Sequence, residues 1–192
     1  VNDQTPVIQS DGAGDSATVN VAENTTHVTT VAATDGDLPA ETLSYSIIGG
    51  ADASHFAIDN ATGVLSFVGA KDREAVDDND LDGIYEVIVQ ASDGTHVDTQ
   101  TIQVNLTDAD EFDVSAVADA DGTVNQVAEN SSIGTTVGVT ASASDADATT
   151  NTISYSLTNN DGGRFAIDST TGVVTVAGAI DREADGSSRS IT

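Results

Sequence analysis

Apolar residues recur two apart in short runs along this chain, the period of a strand with one face buried. Leu43, Tyr45 and Ile47 form one run, Phe56 and Ile58 a second, Leu65 and Phe67 a third. Longer runs follow at Tyr85, Val87, Val89 and Ala91, and at Ile102, Val104 and Leu106, while Val28, Val31 and Ala33 come before. Gly49-Gly50, Asp59-Asn60, Gly63 and Asp93-Gly94 break the runs as turns. No stretch of about ten residues carries a helical stripe between caps. The alternation then returns at Val137, Val139, Ala141 and Ala143, at Ile153, Tyr155 and Leu157, at Phe165 and Ile167, and at Val174 and Val176.

About seven short strands in the first half, separated by turn residues and begun again in the second, predict an all-β chain of two tandem immunoglobulin-like β-sandwiches. The length of 192 residues suits two domains of about 100 residues each, placed here at 1–108 and 109–192. The second sandwich is expected to be truncated at its C-terminal side. After Asp181-Arg182-Glu183 the residues 187–192 suffice only to begin a counterpart of the 85–89 strand, and the 102–106 strand has no counterpart. A sandwich without its last strand exposes an edge. The second half is therefore expected to be less stable, or to complete its sheet with a strand from another chain. Beginning in a linker and stopping in a strand, the chain is expected to be a piece of a longer protein.

Short acidic signatures accompany the alternation, and they too occur twice. Ala22-Glu23-Asn24 returns as Ala128-Glu129-Asn130, Ala33-Thr34-Asp35-Gly36-Asp37 as Ala143-Ser144-Asp145-Ala146-Asp147, and Asp72-Arg73-Glu74 as Asp181-Arg182-Glu183. Phe56-Ala57-Ile58-Asp59 and Thr62-Gly63-Val64 return as Phe165-Ala166-Ile167-Asp168 and Thr171-Gly172-Val173. Each unit thus carries its own set of carboxylates, as in a modular array. Asp and Glu number 32 against five Lys and Arg, for a formal charge of -27, which argues against nucleic acid or an anionic membrane surface as partner. The 38% of apolar residues, falling in alternating runs, disfavours a disordered acidic tail. A halophile-like solvated surface would explain the charge but not its recurrence at fixed places; neutralisation by a hard cation, above all Ca2+, explains both. With no Cys, disulfides, thiolate metal sites and thiol catalysis are excluded together. No apolar stretch reaches the roughly 20 residues that span a bilayer.

These motifs, in this order, resemble the cadherin repeat, and specifically the cadherin-like modules of large bacterial surface and adhesin proteins. The likeness runs through Glu23, Ala33-Thr34-Asp35-Gly36-Asp37, Asp72-Arg73-Glu74, Ala91-Ser92-Asp93 and the linker Asp108-Ala109-Asp110-Glu111. Residues 1–6, with Asn2-Asp3-Gln4-Thr5-Pro6, resemble the tail of a preceding linker. The resemblance implies Ca2+ held by Glu23, Asp72 and Glu74 of the first unit, by Asp108, Asp110 and Glu111 of the linker, and by Asp145 and Asp147 of the second. It implies that Asn2, Asp35, Asp37 and Asp93 form half of a site shared with a module upstream, and Glu129, Asp181 and Glu183 half of one shared downstream. It further implies a non-catalytic, extracellular or cell-surface module that calcium stiffens within an extended adhesion protein, with neighbouring repeats as partners. The alternative is a module binding polysaccharide or a homophilic chain, and a third reading is an accessory domain of a secreted enzyme. Two departures stand out: the linker has Asp110-Glu111-Phe112 in place of Asn-Asp-Asn, and Lys71 precedes Asp72 where Ile180 precedes Asp181.

Asp78, Asp80, Asp82 and Gly83 form a separate feature that matches the first half of an EF-hand-type loop, without the closing glutamate, since Val89 stands at position twelve. A solvated acidic loop between two strands is the competing reading, and an extra metal site the other. His27, His55 and His96 are scattered without zinc-ligand spacing. Tyr45 and Tyr155 recur at an inward position, as core residues do.

Overall fold

Strand β8 (Ile84–Ser92) alternates half-buried and buried residues along its whole length, placing Tyr85, Val87, Val89 and Ala91 on one face at zero exposure. That face is the centre of the first unit. The computed structural model describes residues 4–37, 42–80 and 82–192, and the chain divides into two units, Val1–Ala109 and Asp110–Thr192. Asn2 lies outside the described residues.

In the first unit β8 pairs antiparallel with β9 (Val97–Thr107) and with β5 (Ser44–Gly49), and β9 pairs in parallel with β2 (Ser16–Ala22). A second sheet joins β3 (His27–Thr30), β7 (Val64–Phe67) and β6 (Phe56–Ile58), and a short ladder joins β1 (Val7–Ile8) to β4 (Ala33–Thr34). Fifteen buried apolar residues drawn from both sheets form one cluster, as expected for facing sheets of a sandwich. Phe56 stacks on Phe67, which meets Tyr85 edge-on across it.

The recurring Thr-Gly-Val has a steric cause. Gly63 sits at φ +72° with its Cα against the Val31 carbonyl, where a Cβ would collide, and Gly172 sits at φ +71° against the Ala141 carbonyl in the same way. Asp59 accepts the backbone N–H groups of Ala61 and Thr62 at this turn, and Asp168 those of Thr170 and Thr171.

The second unit has one sheet, in the order β10 (Ala118–Asp119), β11 (Thr136–Ser142), β13 (Val173–Val176) and β12 (Phe165–Ile167). Its core cluster holds five buried residues, Val137, Phe165, Val174, Val176 and Ile180. The chain is nearly all β, as expected, with one short α-helix among the described residues, α1 (Arg182–Asp185). One expectation fails: residues 153–157 do not form a strand. Their counterpart β5 is held by β8, but here the returning chain pairs at a single point, where Asn159 and Thr192 exchange backbone hydrogen bonds. Without a ladder the alternating residues stay irregular, although Leu157 and Ile191 still pack on the core.

Candidate metal centres

Glu23 leaves the end of β2 and is 2% exposed, an unusual place for a carboxylate. Backbone donors hold it there: Oε1 accepts the Ala109 N–H at 2.8 Å and Oε2 the Arg73 N–H at 2.6 Å. Asp72 turns its own Oδ1 onto the N–H groups of Glu74 and Ala75. The Arg73 guanidinium donates to the Leu106 carbonyl at the end of β9 and so ties this loop to the sheet. Asn24, at φ +60°, donates its N–H to the Lys71 carbonyl. The result brings one carboxylate oxygen from each of Glu23, Asp72 and Glu74 within 4.8 Å of the others.

The same wiring occurs in the second unit. Glu129 accepts the Arg182 N–H, Asp181 caps α1 through the Ala184 N–H, and Asn130 at φ +56° donates to the Ile180 carbonyl. Glu129, Asp181 and Glu183 converge within the same 4.8 Å, but all three are exposed. Glu23 is tied at both ends to the residues that follow β9, donating its N–H to the Thr107 carbonyl and accepting the Ala109 N–H.

Asp35, Asp37 and Asp93 form a third group. Asp37 is 4% exposed and accepts the Gln4 N–H, Asp35 accepts the Asp37 N–H, and Asp93 accepts those of Thr95 and His96. Asp35 Oδ2 is buried and meets no donor among the described residues. In the second unit Asp147 is 1% exposed, accepts the N–H groups of Glu111 and Phe112, and donates its own N–H to the Asp145 carboxylate. The charge of Asp147, with partial desolvation and Asp145 behind it, holds the Asp110 carboxyl above its ordinary range. Asp108, Asp110, Glu111, Asp145 and Asp147 do not form a three-carboxylate group of this tightness among the described residues.

Asp78, Asp80 and Asp82 do. Desolvation, then the charges of Asp82 and Asp52, raises the Asp80 carboxyl above its ordinary range. Asp52 is fully buried and accepts the N–H groups of Asn79 and Glu86, fastening both ends of this loop. No motif marked Asp52; its role depends on a turn folded against a loop 27 residues away.

A family model, "Cadherin domain", matches residues 17–108 and again 123–189. The chain belongs to the cadherin domain family. Protocadherin Fat 4 of Homo sapiens is 37% identical over 161 residues, covering 81% of this chain and 3% of that protein. Cadherin EGF LAG seven-pass G-type receptor 3 of Mus musculus is 33% identical over 195 residues, covering 96% of this chain and 6% of that one. Among solved structures, protocadherin gamma B2 extracellular cadherin domains 3-6 superpose with a TM-score of 0.73 at 27% identity, over 94% of this chain and 45% of that chain. Mouse cadherin-23 EC22-24 gives 0.71 at 25% identity, over 95% and 57%. This cadherin pair thus spans only a small fraction of its curated relatives and about half of those solved segments. It is an extracellular, cell-surface type of module with the tandem cadherin fold. The named relatives are animal proteins, so they support the cadherin family and not the bacterial setting expected from sequence. No helix among the described residues is long and apolar enough to cross a membrane.

Proposed function

We propose that this cadherin pair is a non-catalytic, calcium-binding module of an extended adhesion protein at a cell surface. The observation that carries the reading is the duplicated cradle: Glu23 with Asp72 and Glu74, and Glu129 with Asp181 and Glu183, built from the same backbone hydrogen bonds. Every donor is a carboxylate oxygen, which suits a hard cation taking six to eight oxygens, and among the described residues no imidazole belongs to either cradle. The buried, donorless Asp35 Oδ2 fits such an ion as well.

Two unit charges about 4 Å apart repel by about 1 kcal/mol even in bulk water, so each cradle is under electrostatic strain without a cation. Bound calcium supplies the compensating charge. Glu23 grips the Ala109 N–H in one unit and Asp147 the Glu111 N–H in the other. Metal bound by Glu23, Asp72, Glu74 and Asp108, or by Asp110, Glu111, Asp145 and Asp147, therefore restrains the short segment joining the units. Stiffening of a repeat array follows from that restraint. Calorimetric titration should show calcium uptake at about 10⁻⁴–10⁻³ M, the range of extracellular modules. Asp72→Asn keeps the acceptor for Glu74 and Ala75 and removes the charge, and should weaken uptake at one site about tenfold. No heat at millimolar calcium would overturn the reading.

A homophilic partner is a second reading, favoured by the likeness to the cis-dimer structure of protocadherin gammaB7 EC3-6, which superposes at a TM-score of 0.68 with 26% identity. Sedimentation analysis with and without calcium tests it: a concentration-dependent dimer supports it, and a monomer throughout refutes it.

A further inference from the structure

In the connection between β7 and β8, downstream of the Asp72-Arg73-Glu74 segment that serves the first cradle, Asp78, Asp80 and Asp82 form a separate group, and the first of them is in an odd position. Asp78 is 2% exposed. Its Oδ2 accepts the N–H groups of Asp82 and Gly83, at 2.7 and 3.2 Å. Its Oδ1 is buried and accepts no hydrogen bond among the described residues. A buried carboxylate oxygen left without a donor is costly, and native structures rarely leave one so. The Asp80 carboxyl reaches Asp78, but it is another acceptor. Asp82 has one oxygen on the Ile84 N–H, and an oxygen from each of the three carboxylates lies within 4.8 Å of the others.

The loop is held in this form by groups that do not themselves neutralise it. Asp52, fully buried, takes the N–H groups of Asn79 and Glu86 and adds a fourth negative charge nearby. The chain's one lysine, Lys71, is engaged with Asp77 at 2.9 Å and with His55, and the nearest arginine, Arg73, donates to the Leu106 carbonyl. Among the described residues no basic side chain forms an ion pair with Asp78, Asp80 or Asp82.

We propose that Asp78, Asp80 and Asp82 form a calcium site within the first unit, with Asp78 Oδ1 as the buried ligand and water completing the shell. The site is independent of the cradles at the unit ends. It needs no neighbouring repeat, because all three ligands come from a single loop. With three protein carboxylates and no closing glutamate, it belongs at the weak end of calcium affinities.

Amide-resolved nuclear magnetic resonance on the whole chain separates it from the cradles. Titration with calcium to about 10 mM, well above the weak extracellular range, should shift the amides of Asp82, Gly83 and Ile84 saturably. In Asp80→Asn, which alters an exposed side chain, the midpoint of those shifts should rise about tenfold, while the amides of Arg73 and Ala109 on Glu23 respond as before. If Arg73 and Ala109 shift but residues 82–84 do not, the loop site is overturned and the cradles stand. If residues 82–84 shift and Arg73 and Ala109 do not, the loop site stands and the cradle reading fails. Equal shifts with sodium at matched ionic strength would reduce the effect to screening and also overturn it.

Discussion

Lys71 shows how one residue departs from a repeat without breaking it. Its carbonyl accepts the Asn24 N–H as the Ile180 carbonyl accepts that of Asn130, and both side chains are 8% exposed. The lysine stem fills the same kind of place as the isoleucine, and its ammonium reaches Asp77 at 2.9 Å and lies 5.4 Å from the centre of the Tyr85 ring. The Tyr85 hydroxyl donates to Asp77 at 2.6 Å, and this bond, followed by that from Lys71, holds the Asp77 carboxyl below its ordinary range. Burial first, then the same bond, pushes the Tyr85 phenol well above its own. A carboxylate with a depressed folded pKa stabilises the fold above its unfolded pKa of about 4, and that contribution fades as pH falls through the folded value. A raised phenol contributes below about pH 10 and loses its contribution as pH rises further. Tyr85→Phe should therefore lower stability at neutral pH by about 1 kcal/mol. That is under the range for bonds to charged groups, because the Asp77 side chain is 55% exposed. The same variant should flatten the loss of stability below about pH 4. Urea midpoints measured from pH 3 to 7 check both. The lysine was visible in the sequence as an exception; that it is wired to a buried tyrosine was not, because their contact depends on the packing of β8.

Among the elements, turns were the easiest to read and pairings the hardest. Gly63 and Gly172 announced themselves by recurrence, and the structure gives the reason in a positive φ and a carbonyl against the Cα. Gly63→Ala should destabilise the first unit by more than about 1 kcal/mol, seen as a lower urea midpoint, since a Cβ there has neither the backbone conformation nor the space it needs. Strand β2 carries the alternating Ala17, Val19 and Val21, yet its parallel partnership with β9 links residues far apart in sequence and leaves no local mark. The reverse error occurred at residues 153–157. There the period of two is present, but a strand is a property of a pair, and the partner ladder is missing. Hydrogen exchange should accordingly be much faster at the amides of 154–158 than at those of β5, and similar protection in both would refute the assignment.

At the scale of the whole chain, the two units are unequal in what they bury, with fifteen core residues in one cluster and five in the other. Burial of apolar area is the main source of stability, so the second unit should unfold first in urea, in a separate transition followed through amides of β11 and β13. A single transition common to both units would contradict this. Calcium at about tenfold over its dissociation constant should add about 1.4 kcal/mol to each unit that binds it, and chelator should remove it.

Alternation written residue by residue was enough to mark most of the strands, and carboxylates recurring in order were enough to mark acidic groups that the fold brings together, because both signals are local and survive without any contact being known. Which strands pair, that Asp52 fastens the 79–86 segment, and that one oxygen of Asp78 is buried without a donor emerged only from the fold. Each of those depends on groups brought together from distant parts of the chain, and burial, unlike residue type, does not exist until they meet.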